Sequence, residues 1–210
     1  MNPNIENYFQ KSSDTIKTLS AQWPAIKNMV LGIYQSQLNG GKLLIGGNGG
    51  SCADAEHFAG EMTCTFNDRR RRPFSAISLT NNASAITAWA NDFEFDSYFT
   101  RQVQALGVAG DVLFLISTGG GNRSNGASMN LVKAAEKALE MKMRLFSLVG
   151  KDGGELSRIS HEFVKVASYE TSIIQEAHIA IIHAICLMID DLARGSADES
   201  IQKTANERSF

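Results

Sequence analysis

Several ordinary signatures are missing from this 210-residue chain. There is no Gly-Lys-Ser/Thr triplet, so a Walker-type phosphate loop is excluded. The dinucleotide-binding fingerprint fails as well. Its third glycine would fall at Cys52, and where an acidic residue should follow, the chain carries Arg69-Arg70-Arg71-Arg72. Three cysteines, Cys52, Cys64 and Cys186, form no CxxC pair and are odd in number, which argues for reduced thiols and a cytoplasmic setting. Charge of one sign is also lacking. With 20 Lys+Arg against 22 Asp+Glu, the net charge of −2 gives no general attraction for nucleic acid. No apolar run is read as approaching the roughly 20 residues that span a membrane. Met1 to Gln10 lacks the basic-then-apolar order of a signal segment, and no internal repeat is visible. No nucleic-acid or membrane partner is therefore expected.

What is present is a chain of 43% hydrophobic residues, long enough for one domain with a sizeable core. Residues 4–19 and 24–39 show helical apolar spacing, and Gly40-Gly41 stops the second helix. Strand-like runs then follow at 42–46, 75–79, 111–117, 143–149 and 162–166. Helical segments at 51–65, 83–90, 97–106 and 128–140 lie between them, and a long one at 171–194 closes the fold. This alternation predicts an α/β three-layer sandwich, a five-stranded parallel sheet of flavodoxin-like type behind an N-terminal helical hairpin. The domain reading is 1–40 for N-terminal helices that oligomerise, 41–194 for the α/β domain, and 195–210 for a polar, mobile tail. Every Gly/Ser/Asn-rich loop (46–51, 80–82, 117–128, 150–154) follows a strand, so the loops collect at the carboxyl edge, where such sheets bind ligands.

The strongest local signal is Gly46-Gly47-Asn48-Gly49-Gly50-Ser51. A buried strand runs into a glycine turn, and Ser51 is placed to cap the helix that follows. Free N–H groups and the positive end of the helix dipole make such a turn an anion cradle. Asp54, His57 and Glu61 come next, and the four-residue spacing puts His57 and Glu61 on one helix face. A second strand enters Ser117-Thr118-Gly119-Gly120-Gly121-Asn122-Arg123-Ser124-Asn125-Gly126-Ala127-Ser128, a long hydroxyl- and glycine-rich loop before another helix. It is expected to be mobile without a ligand and ordered with one, with Arg123 folding over a phosphate or, on the plainer reading, staying in solvent while Ser117, Thr118 and Ser128 suffice. On the last helix, Gln175 and His183 lie about 80° apart and two turns along, within reach of one pocket, whereas Glu176 and Asp190 point elsewhere, toward solvent.

A carboxylate and an imidazole beside a sugar phosphate point to proton transfer at carbon. Glu61 can remove a proton next to a carbonyl while His183 handles the oxygen-linked proton. The same side chains offer a second use, because His57, Glu61, Gln175 and His183 supply two nitrogens and two oxygens that suit zinc. The order His-x-x-x-Glu is not that of the zinc-peptidase motif.

These residues resemble the phosphoheptose isomerase family, within the sugar-isomerase (SIS) fold. The similarity runs across most of residues 20–193. It is carried by Gly47-Asn48-Gly49-Gly50-Ser51, Ala53-Asp54-Ala55-x-His57-Phe58-Ala59-x-Glu61 and Ala90-Asn91-Asp92-Phe93. Ser117-Thr118, Gly150-Lys151-Asp152-Gly153-Gly154 and Ile174-Gln175-Glu176-x-His178-x-x-x-x-His183 continue it. The resemblance implies conversion of sedoheptulose 7-phosphate, a phosphorylated seven-carbon sugar, to D-glycero-D-manno-heptose 7-phosphate through an enediol, the entry to activated heptoses for lipopolysaccharide or capsule. It implies a homotetramer with sites between subunits, Glu61 as base and His183 as acid. One zinc ion is implied on His57, Glu61, Gln175 and His183. Asn48, Gly49, Gly50, Ser51, Asn91, Asp92, Ser117, Thr118, Gly119 and Gln175 would line the substrate pocket. The chain departs from the family at three points: Gly119 replaces a serine ahead of an insertion near 121–126, Thr65 replaces an arginine, and Glu94 replaces a glycine. Ser124 or Ser128 then takes the last serine's role. One of Arg69–Arg72 can stand in for the lost arginine, against the plainer reading of a solvated charge run. Two alternatives follow from these departures: an isomerase for another sugar phosphate, and a non-catalytic binding protein of the replication-initiator-associating type. The latter lacks the glutamate and final histidine that Glu61 and His183 supply here.

Overall fold

The computed structural model describes residues 4–207, with side chains described through Gly195. Five strands form one all-parallel sheet: β1 (Leu43–Gly47), β2 (Ala76–Ser78), β3 (Val112–Ser117), β4 (Arg144–Val149) and β5 (Glu162–Lys165). Their order is β2-β1-β3-β4-β5. The order reverses between β1 and β3, and at such a switch point the connections leave in opposite directions and open a crevice. Both phosphate-type loops, after β1 and after β3, flank that crevice.

Period-two alternation builds a core on each face of the sheet. Leu43 and Ile45 of β1, with Val112, Phe114 and Ile116 of β3, face α2 (Trp23–Leu38), α3 (Gly50–Thr63) and α8 (Thr171–Glu207). Leu44, Leu113 and Leu115 face α5 (Tyr98–Leu106), α6 (Met129–Glu140) and α7 (Gly154–Ile159). The three-layer α/β architecture expected from the alternation is the one observed. Helix α1 (Ile5–Thr18) joins α2 through a short 3-10 turn, Leu19–Gln22, and both helices pack on α8. The remaining helix, α4 (Ala83–Asp92), has no buried residue.

Several local expectations need correction. Ser51 is not the cap of α3. Gly49, at φ +57°, turns the chain two residues earlier, and the Ser51 N–H already donates to the Asn48 carbonyl at 3.1 Å. Helix α7 was not foreseen, because six residues are too few for a periodic signal. Helix α8 continues to Glu207 instead of ending at Arg194, since a lone Gly195 among helix-forming residues does not stop it. The expected mobile tail falls largely beyond the described side chains. Glu176 is not solvated: it accepts hydrogen bonds from Tyr8 and Ser12 of α1. Asp190 is buried at 2% exposure. Residues 171–195 are in fact long and apolar enough to cross a membrane by length and composition, contrary to the sequence reading. Half of that stretch is buried, and it serves as the central helix of one core.

Candidate active site

Three helix N-termini converge on one cavity of about 310 Å³ at the switch point. Gly50 and Ser51 bring the start of α3, Ser128 the start of α6, and Thr171 the start of α8. Asn48, Gly49, Ile116, Ser117, Thr118 and Gln175 complete the wall. No lining residue is charged, and five carry hydroxyls. Such a site attracts an anion through dipoles and N–H and O–H donors, with no cationic side chain required. The substrate-lining residues Asn48, Gly49, Gly50, Ser51, Ser117, Thr118, Ser128 and Gln175, named from sequence and resemblance, therefore meet in one place. Gln175 packs against Gly50: a Cβ there would lie 2.3 Å from Gln175 Nε2, and the amide would have to move aside.

Side chains fix the loops around this cavity. Asn48 and Asn130 exchange amide hydrogen bonds of 2.9 and 3.0 Å, tying the first loop to α6. Ser117 Oγ accepts from the Gly120 N–H at 3.0 Å. The second loop is anchored further by α7, whose Glu155 and Leu156 N–H groups donate to the Gly121 and Gly120 carbonyls at 3.0 and 2.8 Å. Ser128 caps α6 from the left-handed region, φ +53°, a conformation costing about 1–3 kcal/mol that fixed surroundings must hold. Between the two serines considered for the missing ligand, the structure places Ser128 in the wall and Ser124 on the exposed loop, bonded to Asn122. Arg123 lies outside the cavity wall and pairs with Glu136 and Glu155. Gly119 is half-buried and outside the cavity wall.

Further along α3 lies the second cluster. His57 Nε2 is 3.0 Å from His183 Nε2, and 3.4 Å from Glu61 Oε1. Phe66 stacks on the His183 ring with centroids 5.5 Å apart. One turn earlier, burial pushes the Asp54 carboxyl up to about 6, opposed by the nearby His57, and its Oδ2 is buried without a partner. His178 belongs to the core: burial pushes its imidazole down to about 4 while Nε2 meets the Val149 carbonyl at 3.3 Å.

Glu61, His57 and His183 thus gather, and they fit zinc in donor type. As placed, the imidazoles touch, and among the described residues no group of three His, Cys, Asp or Glu side chains forms a ready metal cage. Gln175 lies at the cavity end. Asn91 and Asp92 are not brought in: both are exposed at the end of α4, where Asn91 Nδ2 donates to Asp92 Oδ1 at 2.8 Å.

Asn130, Thr171, Phe66 and Arg71 were not singled out from the sequence. For Asn130 and Thr171 a signal existed, namely polar residues in the first turn of helices that follow loops at the carboxyl edge. For Phe66 none did, and Arg71 was considered only as one of the run Arg69–Arg72.

The family model for the SIS domain matches residues 7–150. A phosphoheptose isomerase of Helicobacter pylori is 44% identical over 174 residues, covering 83% of this chain and 87% of that protein. The structure of phosphoheptose isomerase GmhA from Neisseria gonorrhoeae superposes with a TM-score of 0.81 at 37% identity, over 89% of this chain and 97% of that one. That of a phosphoheptose isomerase from Francisella tularensis gives 0.82 at 34% identity, over 89% and 96%. With its sheet order, its cavity at three helix N-termini and these matches, the chain belongs to the phosphoheptose isomerase family of SIS-domain proteins.

Proposed function

We propose that this protein isomerises sedoheptulose 7-phosphate to D-glycero-D-manno-heptose 7-phosphate, at the start of activated-heptose synthesis for surface glycans. One observation carries the reading. A neutral anion cavity and a carboxylate–imidazole cluster lie along the same helix, with an axial rise of about 9 Å from Ser51 to His57. A six-bond carbon chain bearing a terminal phosphate spans a comparable distance. The phosphate would sit at the helix N-termini, and the reacting carbons beside Glu61 and His183.

In this reading Glu61 takes a proton from C1 of the ketose, leaving an enediol, and returns one to C2. His183 moves the proton between the two oxygens. Asn48, Ser117 and Asn130 hold the loop geometry, and Ser51, Thr118, Ser128 and Thr171 supply donors to the phosphate. We further propose that His57, Glu61, Gln175 and His183 hold one zinc ion, which would polarise the substrate oxygens as a Lewis acid. His57→Ala should then lower the zinc content measured by elemental analysis.

The proposed assembly is a homotetramer. Helix α4 has no fully buried residue, Phe93 is 61% exposed beside Asn91 and Asp92, and α1 presents Phe9 at 66%. Cover from neighbouring copies would account for these faces and bring Asn91 and Asp92 to a shared site. The test of function is turnover of sedoheptulose 7-phosphate by the parent protein and by Glu61→Gln. Aldose formed by the parent and largely lost in the variant supports the reading, and a parent that forms no aldose refutes it.

A further inference from the structure

The two helices that carry Glu61 and His183 are joined by a buried strap. Of the four consecutive arginines, Arg69, Arg70 and Arg72 are exposed, but the Arg71 side chain is 1% exposed and meets Asp190, 3% exposed. Arg71 Nε lies 2.6 Å from Asp190 Oδ1, out of line for a hydrogen bond, so the contact is one of charges. The rest of the guanidinium closes the end of α3: NH2 donates to the Glu61 carbonyl at 2.6 Å, and NH1 to the Met62 carbonyl at 3.2 Å. These carbonyls lie in the last turn of α3, where the helix offers no partners of its own. Asp190 stands on α8 two turns beyond His183. Its other oxygen accepts the Asn67 and Asp68 N–H groups, each at 2.9 Å. Phe66, next to Asn67, is the ring stacked on His183.

The connection from α3 to β2 therefore touches the site three times. It holds the backbone of the base, packs on the ring of the acid, and locks onto α8 through one carboxylate. A buried ion pair is a poor means of stabilising a fold, because desolvation offsets the attraction, and a well-packed apolar pair commonly does as well. The geometry points to another role. We propose that Arg71 and Asp190 are a positioning pair for the isomerisation, setting the end of α3 that bears Glu61 against the stretch of α8 that bears His183. This rests on the assignment of Glu61 and His183 as base and acid.

The test removes both charges together, as Arg71→Met with Asp190→Leu, so that no lone charge is left buried. The double variant is expected to unfold below the parent temperature, because the Glu61 and Met62 carbonyls and the Asn67 and Asp68 N–H groups lose their partners, and to keep its KM, because the phosphate cavity lies at the other end of α3. Its kcat should fall about 10²-fold, the cost of displacing a reacting group by about 1 Å. In its crystal structure the His57–His183 contact should be broken. Arg71→Lys keeps the cation without the two-carbonyl fork and should restore part of the rate lost. It also serves as the deciding variant if the double one does not fold: a kcat equal to the parent's then overturns the proposal, and a selective fall in kcat supports it. A folded double variant with unchanged kcat, or with Glu61 and the His57–His183 contact unmoved, likewise overturns it. Should the parent not turn over the heptulose phosphate, the proposed function fails while the crystallographic comparison still decides this one.

Discussion

The two sides of the site are built differently. On the α3–α8 side, Phe58, Met62, Ile181 and Ile185 are at most 1% exposed, imidazoles and carboxylate are in contact, and an ion pair closes the far end. On the α4 side no residue is buried, Asn91 and Asp92 bond only to each other among the described contacts, and Trp89 stacks on an exposed Phe93 with centroids 4.3 Å apart. A single chain thus brings the cavity and the carboxylate–imidazole cluster together, and leaves α4 without a buried residue. The difference teaches that preorganisation and completeness are separate properties. The proposed reacting groups stand on helices packed into this chain's own core, and the contribution of α4 depends on what covers it.

The comparison can be broken first at its rigid side. Glu61→Gln keeps shape and removes the base, and should lower kcat by about 10² to 10⁴. The open side comes next. If α4 completes a neighbour's site, Asp92→Ala should cost roughly 10- to 100-fold, as for loss of a charged hydrogen bond. Mixing the Glu61→Gln and Asp92→Ala proteins should then restore activity in hybrid assemblies, and no recovery on mixing would leave α4 without a role across a boundary. A smaller effect is expected at the cradle. Asn130→Ala strands Asn48 and should remove about 1–3 kcal/mol of stability in denaturant unfolding, with a raised KM for the phosphorylated sugar.

The core beneath α8 offers a test by pH. The folded-state pKa of His178 is about 4, below its usual 6.5, so folding favours the neutral ring. Its contribution is complete above pH 6.5 and is lost as pH falls through 4. His178→Leu should flatten the stability profile in that window, and a profile as steep as the parent's would place the acid sensitivity elsewhere. The smallest effect belongs to Arg123→Ala. Its pairs with Glu136 and Glu155 are exposed and screened by solvent, so stability and KM should both stay near the parent's. A clear rise in KM would restore Arg123 as a clamp.

Much of this was legible in the residues themselves. Strand–helix alternation, glycines after β1 and hydroxyls after β3 are local signals. Because loops at the carboxyl edge of a parallel sheet must meet, they identified most of the cavity wall in advance. Glu176 and Asp190 were misread for one shared reason: helical phase gives the direction of a side chain, not what packs there. Helix α1 covers Glu176, and the α3–β2 connection covers Asp190, both from distant sequence. Arg71 sits in a run whose other members are exposed, so composition favoured solvent. Asn91 and Asp92 were identified by resemblance alone, and one chain cannot bring them to the cavity.

The most direct test of the central claim is turnover of sedoheptulose 7-phosphate in D2O, followed by NMR for the parent and for Glu61→Gln. The account predicts that the parent forms the aldose, with label at C2 reporting how fast the proton held by Glu61 exchanges with solvent, and that the variant forms it at a small fraction of that rate. No aldose from the parent, or aldose formed equally fast by Glu61→Gln, would contradict it.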